Sequence, residues 1–497
     1  MAGVLEKFPM LIDGKAAEPS TGAWFESFNP YTGQPWALVA RGARADADRA
    51  VEAAHKAFTT GEWPKLNATQ RGALLFKLAD LIAAHAAELG AMEVRDNGKL
   101  LAEMGAQMRY VPQWYRYFGG LADKVEGAVI PIDKPSTLTY TRPEPLGVCV
   151  AIAPWNSPLL LTSWKLAPAL AAGNTMVVKP SEFTSTSISL FMKLVEQAGF
   201  PPGVINVVTG FGAEVGMALV EHPRVAKVAF TGSEATGSKV AEAAGRRLIP
   251  ATLELGGKSP NIVFADANLD VAAKGVVAGI FAATGQTCIA GSRLLVEEKI
   301  HNAFVDKVLA LARTARMGDP MDLGTHVGPV ATQPQLEKVL KYLEIAKGEG
   351  AKPMIGGGRA SRPECGTGWF VEPTIFTGVH NKMRIAQEEV FGPVLSVIPF
   401  KDDDQAVEIA NDVLYGLASG IWTSNLGRAH RIAARLQAGS VWINTYRSVA
   451  PMAPFGGYKR SGLGRENGME TIRNYLQTKC VWVDMSDDFP SPFTMRI

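Results

Sequence analysis

Gly285-Gln286-Thr287-Cys288-Ile289-Ala290 places a lone cysteine just after a glycine turn. The residues around it, from 275 to 292, carry no charged side chain. A free thiol titrates near ~8.5, and only the thiolate is a good nucleophile. Burial in an apolar run pushes that value up. The stretch alone therefore fits a buried structural cysteine as well as a reactive one. Upstream, Leu253-Glu254-Leu255-Gly256-Gly257-Lys258 adds an acid ahead of a flexible turn. Read together, Cys288 and Glu254 suggest a nucleophile and its base.

Outward from this pair the chain alternates strands and helices. Downstream, short apolar runs near 261–264, 293–296, 394–398, 419–422 and 440–443 read as strands. Upstream, 148–153, 175–178, 204–208 and 225–230 read the same way, with helical stretches near 184–198 and 213–221. This is the βαβ pattern of parallel sheets covered on both faces, so the spacing predicts an α/β fold with two lobes. Helices are expected over 45–58 and 68–89, the second with a stripe of Leu74, Leu75, Leu78, Leu81 and Ile82. The aromatic segment around Tyr110, Trp114, Tyr115, Tyr117 and Phe118 reads as a core helix or, through Tyr110 or Trp114, as a wall of a substrate pocket. Residues 129–131 and 138–142 read as a hairpin that projects as an arm. A further strand at 480–483 precedes an irregular tail with two prolines.

Composition narrows the function classes. The chain has 497 residues, 47% hydrophobic and 20% charged, with a formal net charge of +2. That balance gives no electrostatic case for nucleic acid or an anionic membrane. The four cysteines, Cys149, Cys288, Cys365 and Cys480, show neither a CxxC pair nor zinc spacing, so no metal is expected. Such usage suits a reducing compartment, and the first residues lack a signal-peptide core. The uncharged runs 145–164 and 275–292 are long enough to span a bilayer. Pro154, Asn156, Pro158, Gln286 and Thr287 interrupt them, so both read as buried core.

Several strand ends carry candidate ligands for a nucleotide. Gly210-Phe211-Gly212-Ala213-Glu214-Val215-Gly216 is one residue too long for the usual dinucleotide fingerprint. Phe230-Thr231-Gly232-Ser233 follows a strand and opens a helix, where phosphate is favoured. A plain helix cap by Ser233 explains it equally well. Lys179 and Glu182, in Val178-Lys179-Pro180-Ser181-Glu182, sit where a ribose diol would bind, and a carboxylate there repels a 2′-phosphate. Asn156, in Pro154-Trp155-Asn156, offers a side-chain amide for an oxyanion or a simple turn. Glu389-Val390-Phe391-Gly392-Pro393 adds another acid before a turn.

In their order and spacing these stretches, with Pro454-Phe455-Gly456-Gly457-Tyr458-Lys459, resemble the aldehyde dehydrogenase superfamily over nearly the whole chain. The resemblance implies two Rossmann-like lobes and an oligomerisation arm. Residues 1–122 and 146–257 would form the nucleotide-binding domain and 258–459 the catalytic domain, with 123–145 and 473–497 as the arm of a dimer or tetramer. It implies NAD-dependent oxidation of an aldehyde to an acid in the cytoplasm, NAD being favoured over NADP. Cys288 would be the nucleophile, Asn156 and the Cys288 N–H the oxyanion donors, and Glu254 the base for thioester hydrolysis. Trp155, Lys179, Glu182, Gly212, Phe230, Gly232, Ser233, Leu255, Glu389 and Phe391 would hold the cofactor. Trp164, Thr287, Ile289, Arg447 and Phe455 would meet the substrate, with Arg447 a candidate partner for a substrate carboxylate. Some relatives pair the lysine matching Lys165 with a glutamate near the C-terminus. The sequence reading places Gln477 there and so expects no Lys165 relay. The competing expectations are a CoA-acylating enzyme, against which Glu254 counts, a thiol hydrolase, and a non-catalytic scaffold on the same fold.

Overall fold

The computed structural model describes residues 4–487 and 493. The expected C-terminal tail beyond 487 lies otherwise outside the described residues, as do residues 1–3 at the start. The first lobe is built on an eight-stranded sheet. Its parallel centre runs Ala251–Glu254, Val225–Thr231, Val148–Ile152, Thr175–Lys179 and Ile205–Val207 in spatial order. Strand Gly462–Leu463 closes one edge antiparallel to Ala251–Glu254, and Met10–Ile12 with Lys15–Ala17 closes the other. The β-branched runs that predicted these strands are buried on both faces, as parallel strands must be.

Register fixes the functional level of this sheet. Ile152 lies opposite both Lys179 and Phe230, and Thr231 lies opposite Glu254. The segments carrying Asn156, Lys179, Ser233 and Glu254 therefore leave the sheet at one carboxyl edge, where open α/β sheets bind ligands.

The second lobe holds a seven-stranded sheet in the order Lys352–Ile355, Thr374–Thr377, Val394–Phe400, Arg293–Glu297, Pro260–Val263, Ala418–Trp422 and Ser440–Ile443. All its pairings are parallel except the one between the first two strands. The hairpin Val129–Ile130 and Thr137–Pro145 pairs with Leu476–Asp484 in a separate three-stranded sheet.

Both uncharged runs are largely buried, although Ala278 in the second is exposed. The first gives strand Val148–Ile152 and helix Pro158–Ala171, every residue of which is buried. A helix apolar all round belongs in a core, and each buried Leu contributes roughly 1.5–3 kcal/mol. No helix among the described residues is long and apolar enough to cross a membrane. The helix expected over 68–89 is two helices, Ala68–Ala84 and Ala86–Asn97, parted at His85. The His85 ring bonds the Leu81 carbonyl at 2.9 Å while its backbone leaves helical geometry (φ −105°, ψ 14°).

Candidate active site

Cys288 follows helix Leu269–Phe281 through an abrupt backbone reversal. Ala283, Thr284 and Gly285 are consecutively left-handed, with φ of 54°, 53° and 70°. For the two residues with a Cβ this costs about 1–2 kcal/mol each, so neighbours must hold the loop. Glu103 accepts from the Ala283 N–H at 2.7 Å, and Thr284 Oγ1 donates to the Gly328 carbonyl at 3.1 Å. Gln286 Oε1 accepts from the Ala331 N–H at 2.8 Å. Glycine is required at 285, where a Cβ would stand 2.0 Å from the Gly392 carbonyl oxygen.

Asn156 Nδ2 donates to the Gln286 carbonyl at 3.0 Å, which ties the amide to the loop two residues before the thiol. Its second N–H remains to meet an oxyanion. The thiol is pushed up to about 12, chiefly by burial, then by Glu254 and Glu389; the N–H groups of Ile289 and Cys288 pull it down. Glu254 ends its strand 4% exposed, and neither carboxylate oxygen has a partner among the described residues. Burial, then Glu466, holds its carboxyl well above the usual range, with Lys165 and Arg465 opposing. A buried carboxylate with both oxygens open is placed to hold a proton and to take one from water.

The acid beside Lys165 is Glu466, not Gln477. Lys165 Nζ forms a buried ion pair with Glu466 and donates to Thr231 Oγ1 at 2.6 Å. Gln477 lies on the exposed arm strand, with Nε2 reaching the Pro145 carbonyl at 3.4 Å. The expectation that no acid accompanies Lys165 is thus corrected. Glu466 reaches the lysine because its backbone pairs with Phe455 in both directions at 2.7 Å, folding the segment back over the site.

Two cavities converge here. One, of about 340 Å³, is lined by Trp155, Lys179, Glu182, Gly212, Phe230, Gly232, Ser233, Leu255, Glu389 and Phe391, so every expected cofactor residue borders it. Lys179 Nζ bonds Glu182 at 2.9 Å. Glu389 accepts from the Gly257 N–H at 2.8 Å, and a Cβ on Gly256 would stand 2.6 Å from its other oxygen. Ser233 caps helix Glu234–Arg246 through the Thr236 N–H at 3.3 Å, so the cap reading holds and the helix start still faces the cavity. The second cavity, of about 260 Å³, is lined by Trp164, Thr287, Ile289, Arg447 and Phe455, with Glu254. Asn156 and Cys288 border both cavities.

The aldehyde dehydrogenase family profile matches residues 17–481. The chain belongs to that family. It is 46% identical to (Z)-2-((N-methylformamido)methylene)-5-hydroxybutyrolactone dehydrogenase of Acinetobacter baylyi, covering 99% of this chain and 100% of the relative. It is 44% identical to betaine aldehyde dehydrogenase of Bacillus subtilis, covering 95% and 96%. Among solved structures, an NAD+ complex of betaine aldehyde dehydrogenase from Staphylococcus aureus superposes with a TM-score of 0.96 at 39% identity, covering 98% of this chain and 99% of that one. An NAD+ complex of Bacillus cereus aldehyde dehydrogenase gives 0.94 at 44% identity, covering 97% of each.

Sequence reasoning missed part of this aldehyde dehydrogenase's site. Glu466 is one such residue; Lys338 in the first cavity and Lys99, Glu103, Gln107 and Ser157 in the second are others. Their segments read as ordinary helix and loop, and no local pattern marked them. Of the two aromatics weighed as a pocket wall, neither lines the cavity. Trp114 is fully buried, stacked on Trp164 at 5.7 Å and bonded to Asn467 at 2.7 Å, and Tyr110 is exposed.

Proposed function

We propose that this aldehyde dehydrogenase oxidises its aldehyde through a covalent adduct on Cys288, with NAD in the first cavity. The observation that carries the reading is the meeting of both cavities at Cys288 and Asn156. The dinucleotide fits the residues present. Lys179 and Glu182 would take a ribose diol, the start of helix Glu234–Arg246 the pyrophosphate, and Glu389 the second ribose. Gly256 leaves room for close approach beside Glu389, since any side chain there would collide with that carboxylate.

Cys288 gives its proton to solvent and its sulfur adds to the aldehyde carbon. The Asn156 amide and the Cys288 N–H hold the oxyanion that forms. When bound, NAD supplies the hydride acceptor that turns this adduct into a thioester. Glu254 then takes a proton from water, the resulting hydroxide attacks the thioester carbon, and the C–S bond breaks to release the acid and the thiolate. Glu466 and Lys165 stand behind Glu254 and offer its proton a way onward.

The arm sheet, with Val129, Ile130 and Trp482 exposed, supports assembly into a dimer or tetramer. We read residues 1–122 with 146–257 as the nucleotide-binding domain, 258–459 as the catalytic domain, and the arm as the oligomerisation element. Four unpaired cysteines support a reducing, cytoplasmic setting.

The test is rapid mixing of aldehyde and NAD with the wild type and with Glu254→Gln. The variant is expected to give a burst of NADH close to one per site and then stall. Adding CoA should release no thioester product from the wild type. Loss of the burst would move thiol activation onto Glu254, and CoA-dependent turnover would move the protein to the acylating branch.

A further inference from the structure

One wall of the substrate cavity is polar and takes no part in the chemistry above. Lys99 is 3% exposed and donates to Ser157 Oγ at 2.9 Å. Gln107 Nε2 reaches the same hydroxyl at 3.3 Å, and its buried Oε1 has no partner among the described residues. Glu103 uses one oxygen on the Ala283 N–H, and its buried Oε2 has no partner among them either. Arg447 Nη1 donates to the carbonyls of Ala278 and Ala282 at 3.1 Å each, leaving Nη2 and Nε without a protein acceptor among the described residues. Glu103 and Arg447 thus grip the same helix end, one residue apart.

Lys99 and Arg447 share the cavity lining with two carboxylates, Glu103 and Glu254, yet neither cation forms an ion pair among the described residues. A desolvated cation with unfilled donors is costly, and these two border the cavity that holds Cys288. Burial pulls the Lys99 ammonium down to about 8, with Glu103 and Glu93 opposing and Arg447 adding to the fall. Arg447 is also held in a left-handed conformation, φ 65°, which no glycine relieves. Strain of that kind persists where surrounding structure enforces it, and it concentrates at ligand-binding positions. The same cavity also has an apolar lining of Met104, Leu160, Leu161, Trp164, Val449 and Phe455.

We propose that the cavity selects short aldehydes bearing a carboxylate, which Lys99 and Arg447 hold while the aldehyde carbon reaches Cys288. The proposal rests on Cys288 as the nucleophile. The chain must be short because the Lys99 partner, Ser157, is the immediate neighbour of Asn156, and adjacent Cα atoms are about 3.8 Å apart. Both cations also feel the charge of the Cys288 thiolate, which sets the carboxylate site near the reacting carbon.

The experiment compares kcat/KM with NAD for 4-oxobutanoate, its methyl ester and butanal. The wild type is expected to prefer the acid over both neutral aldehydes by about ten-fold or more, the worth of one charge-assisted contact. Arg447→Met and Lys99→Met should each lower the acid-to-ester ratio by about the same factor. An even-handed wild type, or variants that lower both substrates equally, overturns the proposal. Calorimetric titration with succinate tests the subsite without turnover. Succinate should bind the wild type and bind both variants weakly, even if none of the three aldehydes is oxidised. That combination would fault the reaction assigned to Cys288 and uphold the anion site, whereas no succinate binding to the wild type refutes the site. If Arg447→Met melts early through loss of its helix contacts, Lys99→Met, which loses only a hydroxyl partner, decides.

Discussion

Lys165 and Glu466, 301 residues apart in the chain, form an ion pair sealed from solvent beside Glu254. The lysine favours the ionised form of Glu254 and Glu466 disfavours it, and burial outweighs both. A carboxylate base works when deprotonated, so deacylation should rise with pH through the Glu254 titration. Removing the cation with Lys165→Met should move that rise to higher pH. Glu466→Gln should move it to lower pH. The pH dependence of steady-state kcat in the two variants measures this, and shifts in the same direction would exclude Glu254 as the titrating base.

The same pair should dominate a stability test. Breaking a buried pair from one side costs about 3–5 kcal/mol, whereas replacing both partners with apolar groups is often near neutral. Urea denaturation should therefore show Lys165→Met to be much less stable than the double variant Lys165→Met/Glu466→Leu.

The thiol should resist alkylation at neutral pH in the absence of nucleotide, since burial pushes Cys288 up to about 12. The rate with iodoacetamide is expected to rise about ten-fold per pH unit between pH ~7 and ~10, without a plateau. Glu254→Gln removes a neighbouring negative charge and should speed alkylation at any fixed pH in that range.

Asn156→Ala should lower kcat by about 10²–10³, the usual loss for one oxyanion donor. Because Asn156 also ties the loop through the Gln286 carbonyl, the melting temperature should fall with it. Asn156→Asp keeps the size but removes the donors, so it should not restore turnover.

Glu182→Ser should raise kcat/KM for NADP relative to NAD. The carboxylate borders the nucleotide cavity next to Lys179, and its loss leaves that lysine free to meet a 2′-phosphate. An unchanged ratio would place the ribose elsewhere.

The sequence by itself determined the strand ends and what they carry. β-branched runs bounded by turns marked the strands that lead to Asn156, Lys179 and Ser233, because a parallel strand needs apolar residues on both faces. The glycine turn before Cys288 was legible for a local reason too, since Gly285 takes a positive φ of 70° that glycine adopts freely. What the sequence could not decide was which distant side chains meet. Glu466 sits in an unremarkable loop, and counting along the C-terminal strand led to Gln477 instead. Lys99, Glu103 and Gln107 carried no local signal. Charge pairing is a through-space property, and only the packing of the Lys99–Gln107 segment, the Cys288 loop and the returning C-terminal chain around one cavity brings these groups together. Tertiary structure thus decided which groups surround Glu254 and which line the second cavity, while local sequence had already marked Cys288 as a candidate and traced the sheets around it.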